Sequence, residues 1–205
     1  MNKALSFFIL ILAGMCLYIF FFWQPAVDSD HTMLATAEPK GGEFTLNTLS
    51  GSISLKDFRS KVVLLYFGYT MCPDVCPTNL SMMSNALMQL SDKELSQVRP
   101  IFISVDPKRD TMERLAEYTH YFHPSIVGAS DTPEVIKELA DRYGVAYQIV
   151  IQDASATNYV VDHSSETYVI DPQGKLVERL SHAAPPAEIL AAIKKYSEDK
   201  KPVRE

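Results

Sequence analysis

Val62-Val-Leu-Leu-Tyr-Phe-Gly-Tyr-Thr-Met-Cys-Pro-Asp-Val-Cys-Pro77 is the stretch on which the reading of the fold turns. Its first half, residues 62–67, is an unbroken apolar run, too hydrophobic on both faces for a sheet edge. It predicts a central buried strand over residues 61–69. Its second half places two thiols, Cys72 and Cys76, at the turn from that strand into a helix. Leu80, Met83, Leu87 and Leu90 recur at helical spacing and Pro77 suits a first helical position, so the helix is expected over residues 78–90. The remaining cysteine, Cys16, lies in an N-terminal apolar stretch.

Outward from this unit the pattern alternates. Residues 44–49 and 52–55 read as a hairpin split by Ser50-Gly51. A second buried strand is expected over 98–105, an amphipathic helix over 111–122, and a further helix from Thr132-Pro133 to Tyr143, closed by Gly144. Short strands over 145–152 and 159–162 flank a polar loop. A hairpin over 167–170 and 176–180 turns at Asp171-Pro-Gln-Gly174, and Pro185 or Pro186 opens a last helix to about Tyr196. Strands alternating with helices predict a three-layer α/β domain.

Residues 4–23 carry no charge and suffice to cross a bilayer as a helix. Lys3 precedes them and Asp28 and Asp30 follow, which puts the N-terminus in the cytoplasm and the domain outside it. Phe20, Phe21, Phe22 and Trp23 would form the aromatic interfacial end. Ala35-Thr36-Ala37 lies too far downstream for a good cleavage site, and Met15 stands where a lipoprotein reading of Cys16 wants a small residue. The expected plan is an anchor over 1–23, a linker over 24–42, the domain over 43–198 and a loose tail over 199–205. With no arginine-rich import leader, a single-pass protein of a bacterial inner membrane, its domain on the periplasmic or outer side, is the simpler expectation. The formal charge is −6 and no dense Lys/Arg cluster is present, which argues against nucleic-acid binding.

Outside the cytoplasm thiols tend to oxidise, so a structural disulfide is the plain reading of Cys72 and Cys76. So short a bridge restricts the unfolded chain little. Flanking Pro73 and Pro77 and the helix start instead describe a shaped, reactive pair, because a helix N-terminus stabilises thiolate. Four residues apart on a near-helical turn, both sulfurs face one side. Two thiolates favour soft ions such as Cu(I) or Zn(II), and they leave room for a third ligand. The candidate is His163 in Tyr159-Val-Val-Asp-His163-Ser-Ser, which sits in a turn between short strands. In a thioredoxin-like fold that turn lies beside the dithiol, at a position usually held by proline, and no proline stands here.

Phe67-Gly-Tyr-Thr-Met-Cys-Pro-Asp-Val-Cys-Pro77, Val105-Asp-Pro-Lys-Arg-Asp110 and Asp162-His163-Ser-Ser ahead of Tyr168-Val-Ile-Asp-Pro-Gln-Gly174, in that order and spacing, resemble the SCO/SenC family of membrane-anchored copper proteins. The resemblance runs from about residue 44 to 196. It implies a thioredoxin-like domain that binds one copper through Cys72, Cys76 and His163 and helps assemble the copper centre of cytochrome c oxidase. The implied partners are the oxidase subunit carrying that centre, a copper donor protein and the membrane. Two thiolates and an imidazole suit Cu(I); Cu(II) prefers a fourth ligand, for which Asp74, Asp106 or water are candidates. The family also implies an alternative, a thiol-disulfide oxidoreductase using Cys72 and Cys76 as a redox pair to reduce the oxidase copper-site cysteines. A thioredoxin-like peroxidase fits the Cys–Cys–His set poorly.

Other features have plainer readings. His120 and His123 lie three apart near a helix end and read as surface residues rather than a second metal pair. Met82, Met83, Met88 and Met112 read as core or ordinary surface, and His31 and Met33 as linker. Asp106 and Asp110 follow a central strand's C-terminal end, where α/β sites lie. For them, support of the site and turn capping stand equally open.

Overall fold

In the computed structural model, which describes residues 39–151 and 159–198 and four isolated positions (12, 14, 15 and 18), the run at 62–68 is the spine. The chain divides into two units, Met1–Leu34 and Ala35–Glu205, and the following concerns the second. Its elements are β1 (Thr45–Thr48), β2 (Gly51–Ser54), a 3-10 turn (Leu55–Phe58), β3 (Val62–Gly68), α1 (Val75–Leu87), α2 (Asp92–Leu95), β4 (Val98–Ser104), α3 (Met112–Phe122), β5 (Val127–Ala129), α4 (Pro133–Tyr143), β6 (Tyr147–Ile151), β7 (Tyr159–His163), β8 (Thr167–Ile170), β9 (Leu176–Leu180) and α5 (Pro186–Glu198).

The central sheet has the order β5-β4-β3-β8-β9. β3 pairs with β4 in parallel and with β8 antiparallel, β5 is parallel to β4, and β9 closes a hairpin with β8. Every residue of β3 is buried, as a strand covered on both faces requires. Its side chains alternate between two cores. Val63, Leu65 and Phe67 pack with Ile136, Leu139 and Tyr143 of α4 and with the β1–β2 hairpin. Val62, Leu64 and Tyr66 pack with Leu80 and Met83 of α1, Leu115 of α3 and Ile189 and Ile193 of α5. The result is the expected three-layer arrangement, and it is thioredoxin-like.

β6 and β7 form a separate two-stranded sheet outside the central one. α4 starts as expected: Thr132 caps its N-terminus, Pro133 takes the first position, and Gly144 ends it at φ 67°, a left-handed turn that glycine adopts without strain. Lys40 and Gly41 both donate backbone hydrogen bonds to Arg142 O, so the folded body includes the last residues of the stretch read as linker. The anchor residues 1–23 apart from positions 12, 14, 15 and 18 (Cys16 thus included), most of the linker with His31 and Met33, and the tail over 199–205 lie outside the described residues. Among the described residues no helix is long and apolar enough to cross a membrane.

One boundary differs in a way that matters. α1 begins at Val75 rather than near Pro77, with Asp74 as its N-cap. Pro77 therefore sits third in the helix, where its missing N–H is still one of the four that no intrahelical carbonyl accepts. Cys76 lies inside the first helical turn and Cys72 just before it.

Candidate metal centre

β3 ends at Gly68, and the chain turns over Tyr69 to Asp74 into α1. That turn is held from three sides. Asp110, only 1% exposed, accepts hydrogen bonds from Thr70 N (3.0 Å), Thr70 Oγ1 (2.6 Å) and Ser104 Oγ (2.6 Å). Arg114 on α3 donates from Nε to Thr70 Oγ1 and from an Nη to Met71 Sδ, both at 2.7 Å. Cys72 N donates to Tyr69 O at 3.2 Å. The thiols are thus carried by a braced loop and a rigid helix start.

His163 ends β7 instead of lying in the following turn, where its backbone pairs with Tyr147. Four residues later β8 begins, with Thr167 opposite Tyr66 on β3, which brings the chain back to the end of β3 that leads into the cysteine loop. Ser164 N donates to Ala146 O at 2.8 Å, and Ser164 Oγ accepts from Ala146 N at 3.0 Å. Asn79 on α1, nearly buried, donates to Ser165 O at 2.6 Å and accepts from Ala183 N at 2.8 Å. The imidazole stands edge-on between Tyr66 and Tyr69, with ring centroids 6.2 and 5.9 Å away.

Here the three predicted ligands meet. Cys76 Sγ lies 3.2 Å from His163 Nε2, and the ligand atoms of Cys72, Cys76 and His163 all fall within 4.8 Å of one another. Donors bonded at about 2.0–2.3 Å to one ion lie roughly 4 Å apart, so the set can close on an ion with small adjustments. The other ring nitrogen, Nδ1, is 2.9 Å from Ser164 O, the kind of partner that fixes which nitrogen is free to ligate. Both cysteines are free thiols, Cys72 half-buried and Cys76 fully buried. Two sulfurs and one imidazole are a soft donor set.

The sulfurs are electrostatically unequal. The neighbouring Cys76 side chain is the largest influence holding the Cys72 thiol down, to about 3. His163 and the backbone N–H groups of Cys76 and Asp74 add to it, against the opposing effect of burial. One of these is visible directly, Cys76 N donating to Cys72 Sγ at 3.4 Å. Burial first, and then the Cys72 thiolate, push Cys76 up, so the pair carries one negative charge and one proton. Tyr66, pushed up by burial and then by Cys76, presents a buried hydroxyl that makes no hydrogen bond of ordinary geometry.

Among the described residues Cys72, Cys76 and His163 are the group able to hold a metal, and neither Asp74 nor Asp106 joins it. The Asp74 carboxylate accepts from Thr78 Oγ1 at 3.4 Å. Asp106 is 2% exposed and faces Arg109 and Tyr159. His123 caps the end of α3, with Nδ1 accepting from Ser125 N at 3.1 Å. Met83 is core, Met82 and Met112 pack at the core's edge, and Met88 is exposed. The contribution of Arg109, Arg114, Asn79 and Tyr159 is new here, because each acts on a partner distant in sequence.

The SCO1/SenC family model matches residues 32–198. The chain belongs to the SCO1/SenC family. It is similar to the SCO2-like protein of Rickettsia felis, 39% identical over 155 residues that make up 75% of each chain. Among solved structures it is similar to apo Sco1 from Thermus thermophilus, with 39% identity and a TM-score of 0.70 over 78% of this chain and 94% of that one. It is also similar to Bradyrhizobium japonicum ScoI with copper bound, with 35% identity and a TM-score of 0.69 over 77% and 99% of the two chains. The thioredoxin-like architecture is that of these SCO1/SenC proteins.

Proposed function

We propose that this SCO1/SenC protein is a membrane-anchored copper carrier that binds one copper ion through Cys72, Cys76 and His163 and delivers it to the copper centre of cytochrome c oxidase. The observation that carries the reading is the convergence of two sulfurs and one imidazole nitrogen within 4.8 Å, from positions up to 91 apart in sequence. Copper as the ion is supported by the copper-bound ScoI of Bradyrhizobium japonicum and by the softness of thiolate donors. The oxidase as recipient follows from the family resemblance. Residues 1–23 provide a single-pass anchor in a bacterial inner membrane, and the domain faces outward from the cytoplasm.

The site suits a carrier. Cys72 already holds thiolate, so loading displaces one proton, from Cys76. Cys72 and His163 are both half-buried, so an incoming ligand from a partner reaches the ion without unfolding the core. A closed four-ligand site lacks that route.

The unequal thiols also favour the alternative reading, a thiol-disulfide oxidoreductase. The Cys72 thiolate would attack a partner disulfide and form a mixed disulfide. Cys76, losing its proton to the departing thiolate, would then attack Cys72. The partner leaves with one thiol and one thiolate, which takes its proton from water, and Cys72–Cys76 is left as the disulfide.

His163→Ala separates the two. In the full chain in detergent, reduced and anaerobic, the substitution is expected to lower Cu(I) affinity at least about tenfold, as losing one of three ligands should. X-ray absorption should lose its nitrogen neighbour, while Cys72 and Cys76 still cycle between dithiol and disulfide. Undiminished affinity would refute the ligand assignment and leave the dithiol reading.

A further inference from the structure

Among the described residues, the strand that delivers His163 lies outside the central sheet: β6 and β7 pair only with each other, and within that hairpin His163 is the last residue of β7. Near His163 the two strands are joined by the Ser164–Ala146 hydrogen bonds, and the hairpin is tied to α1 by the Asn79–Ser165 hydrogen bond. At the other end of β7, about 13 Å away at strand rise, a second fixing point is built around Asp106, beyond the C-terminal end of β4.

Asp106 is 2% exposed, and both its carboxylate oxygens are engaged. Oδ2 accepts from Arg109 Nε at 2.5 Å, and Oδ1 accepts from the Tyr159 hydroxyl at 2.7 Å. Arg109 donates through Nη1 to Tyr159 O at 2.9 Å, and its guanidinium lies 3.6 Å over the Tyr159 ring. Tyr159 is therefore held by its hydroxyl, its ring face and its backbone at once. The guanidinium also stands 5.6 Å over the Tyr69 ring, whose own edge-on partner is His163. Arg109 thus reaches the imidazole by two routes, along β7 and through Tyr69.

We propose that Asp106, Arg109 and Tyr159 form a latch that fixes the β6–β7 arm and so positions His163 over the dithiol. The latch rests on His163 being a ligand. A buried ion pair is a weak source of net stability; here the Asp106–Arg109 pair is used for placement, because Tyr159 of β7 bonds to both its members beyond the end of β4. Without the latch the arm keeps its hydrogen-bonded attachment beside His163 and the packing of Val161 in the core, but its far end is released, and a strand outside the main sheet opens locally more often than the core sheet does. The cysteines, braced independently by Asp110, Arg114 and α1, keep their place. The latch residues are positioning residues: they act on metal binding only through the histidine.

The test is anaerobic Cu(I) competition titration of the full chain in detergent, for wild type, Arg109→Met, Tyr159→Phe, His163→Ala and the Arg109→Met/His163→Ala double variant, with amide hydrogen exchange on the metal-free proteins. Arg109→Met is expected to weaken Cu(I) binding by about 10- to 100-fold, the usual effect of removing support behind a ligand. Tyr159→Phe, which deletes one hydroxyl and keeps the ring under the guanidinium, should give a smaller loss in the same direction, with urea unfolding confirming that the variant is folded. Exchange of the β7 amides should accelerate in both while β3 stays protected. The double variant should bind as His163→Ala alone does, because a latch has nothing to position once the imidazole is gone. Losses that add in the double variant, or Arg109→Met binding like wild type while His163→Ala does not, would overturn the latch. His163→Ala binding like wild type would overturn the ligand reading, and the latch with it.

Discussion

Gly68→Ala is the sharpest probe of how the thiol pair is seated. Gly68 is the last residue of β3, and a methyl group on its Cα would stand 2.6 Å from Cys76 Sγ and 2.9 Å from Phe102 Cε2. Ordinary non-bonded contacts of this kind begin at about 3.5 Å, so the sulfur or the strand must move by roughly 1 Å. Neither has anywhere to go, since Cys76 and Phe102 are both fully buried. Alanine gains about 0.5–1 kcal/mol over glycine from reduced backbone freedom. Overpacking a full core costs about 1–3 kcal/mol, and a clash with two immobile neighbours belongs in the upper part of that range. The net expectation is a loss of about 1–2 kcal/mol, which lowers the urea midpoint by roughly 0.5–1 M for a domain of this size.

A second consequence separates this clash from ordinary destabilisation. Metal–ligand distances tolerate only about 0.2 Å, so a sulfur displaced by several times that margin weakens Cu(I) binding even in the folded protein. Urea unfolding followed by circular dichroism and anaerobic Cu(I) competition at low urea read the two effects separately. If Gly68→Ala is stabilising and binds Cu(I) as wild type does, the approach of Cys76 to the strand is looser than described, and the account of the site's rigidity fails.

Two further outcomes follow from the same loop. In the reduced, metal-free protein the Cys72 thiol is held at about 3, so lowering pH from 8 to 5 leaves it thiolate; its iodoacetamide alkylation, mapped by mass spectrometry, should be nearly flat over that interval with Cys76 unlabelled. A rate that falls tenfold per pH unit, as for a thiol of pKa about 8.5, would refute the assignment. Asp110→Ala leaves Thr70 N, Thr70 Oγ1 and Ser104 Oγ without their acceptor in a buried place, and should destabilise the domain by about 3 kcal/mol in urea unfolding, where a loss under about 1 kcal/mol would show the brace to be dispensable.

What the sequence disclosed followed burial and local chemistry. The apolar run at 62–67 could only be a central strand, and Thr132-Pro133 with Gly144 marked both ends of a helix. β5 escaped notice because it is three residues long with a glycine in the middle, and its place at the sheet edge comes from pairing with β4. The start of α1 was placed late because Pro77 was assigned the first helical position, although the first turn tolerates proline at its third as well. Asp106 and Asp110 stood undecided between turn capping and support of the site. The structure divides them: Asp110 braces the cysteine loop, and Asp106 faces Arg109 and Tyr159. No local pattern could have told them apart, because their partners Thr70 and Tyr159 lie 40 and 53 residues away. The family resemblance singles out His163, but its place at the end of β7 differs from the turn the sequence suggests, because its backbone pairs with Tyr147.

The site is built from two pieces with different mechanical standing, and this difference gives the proposed carrier its physical basis. The cysteines sit on a loop and helix start joined to the fully buried strand β3, with Asp110, Arg114 and the close approach of Gly68 leaving little freedom. The imidazole sits on a hairpin that, among the described residues, shares no strand pairing with the central sheet. Cys72, Cys76 and His163 would hold an ion as proposed, and the histidine would be the one of the three that could be withdrawn while the dithiol kept its place. Cys72 and Cys76 would then be left to hold the ion in a more open site. Were all three ligands on the central sheet, releasing any of them would require disturbing the core, and exchange would be as slow as local unfolding. On the proposed function, the strength of the hairpin's attachment would set how readily the ion moves on.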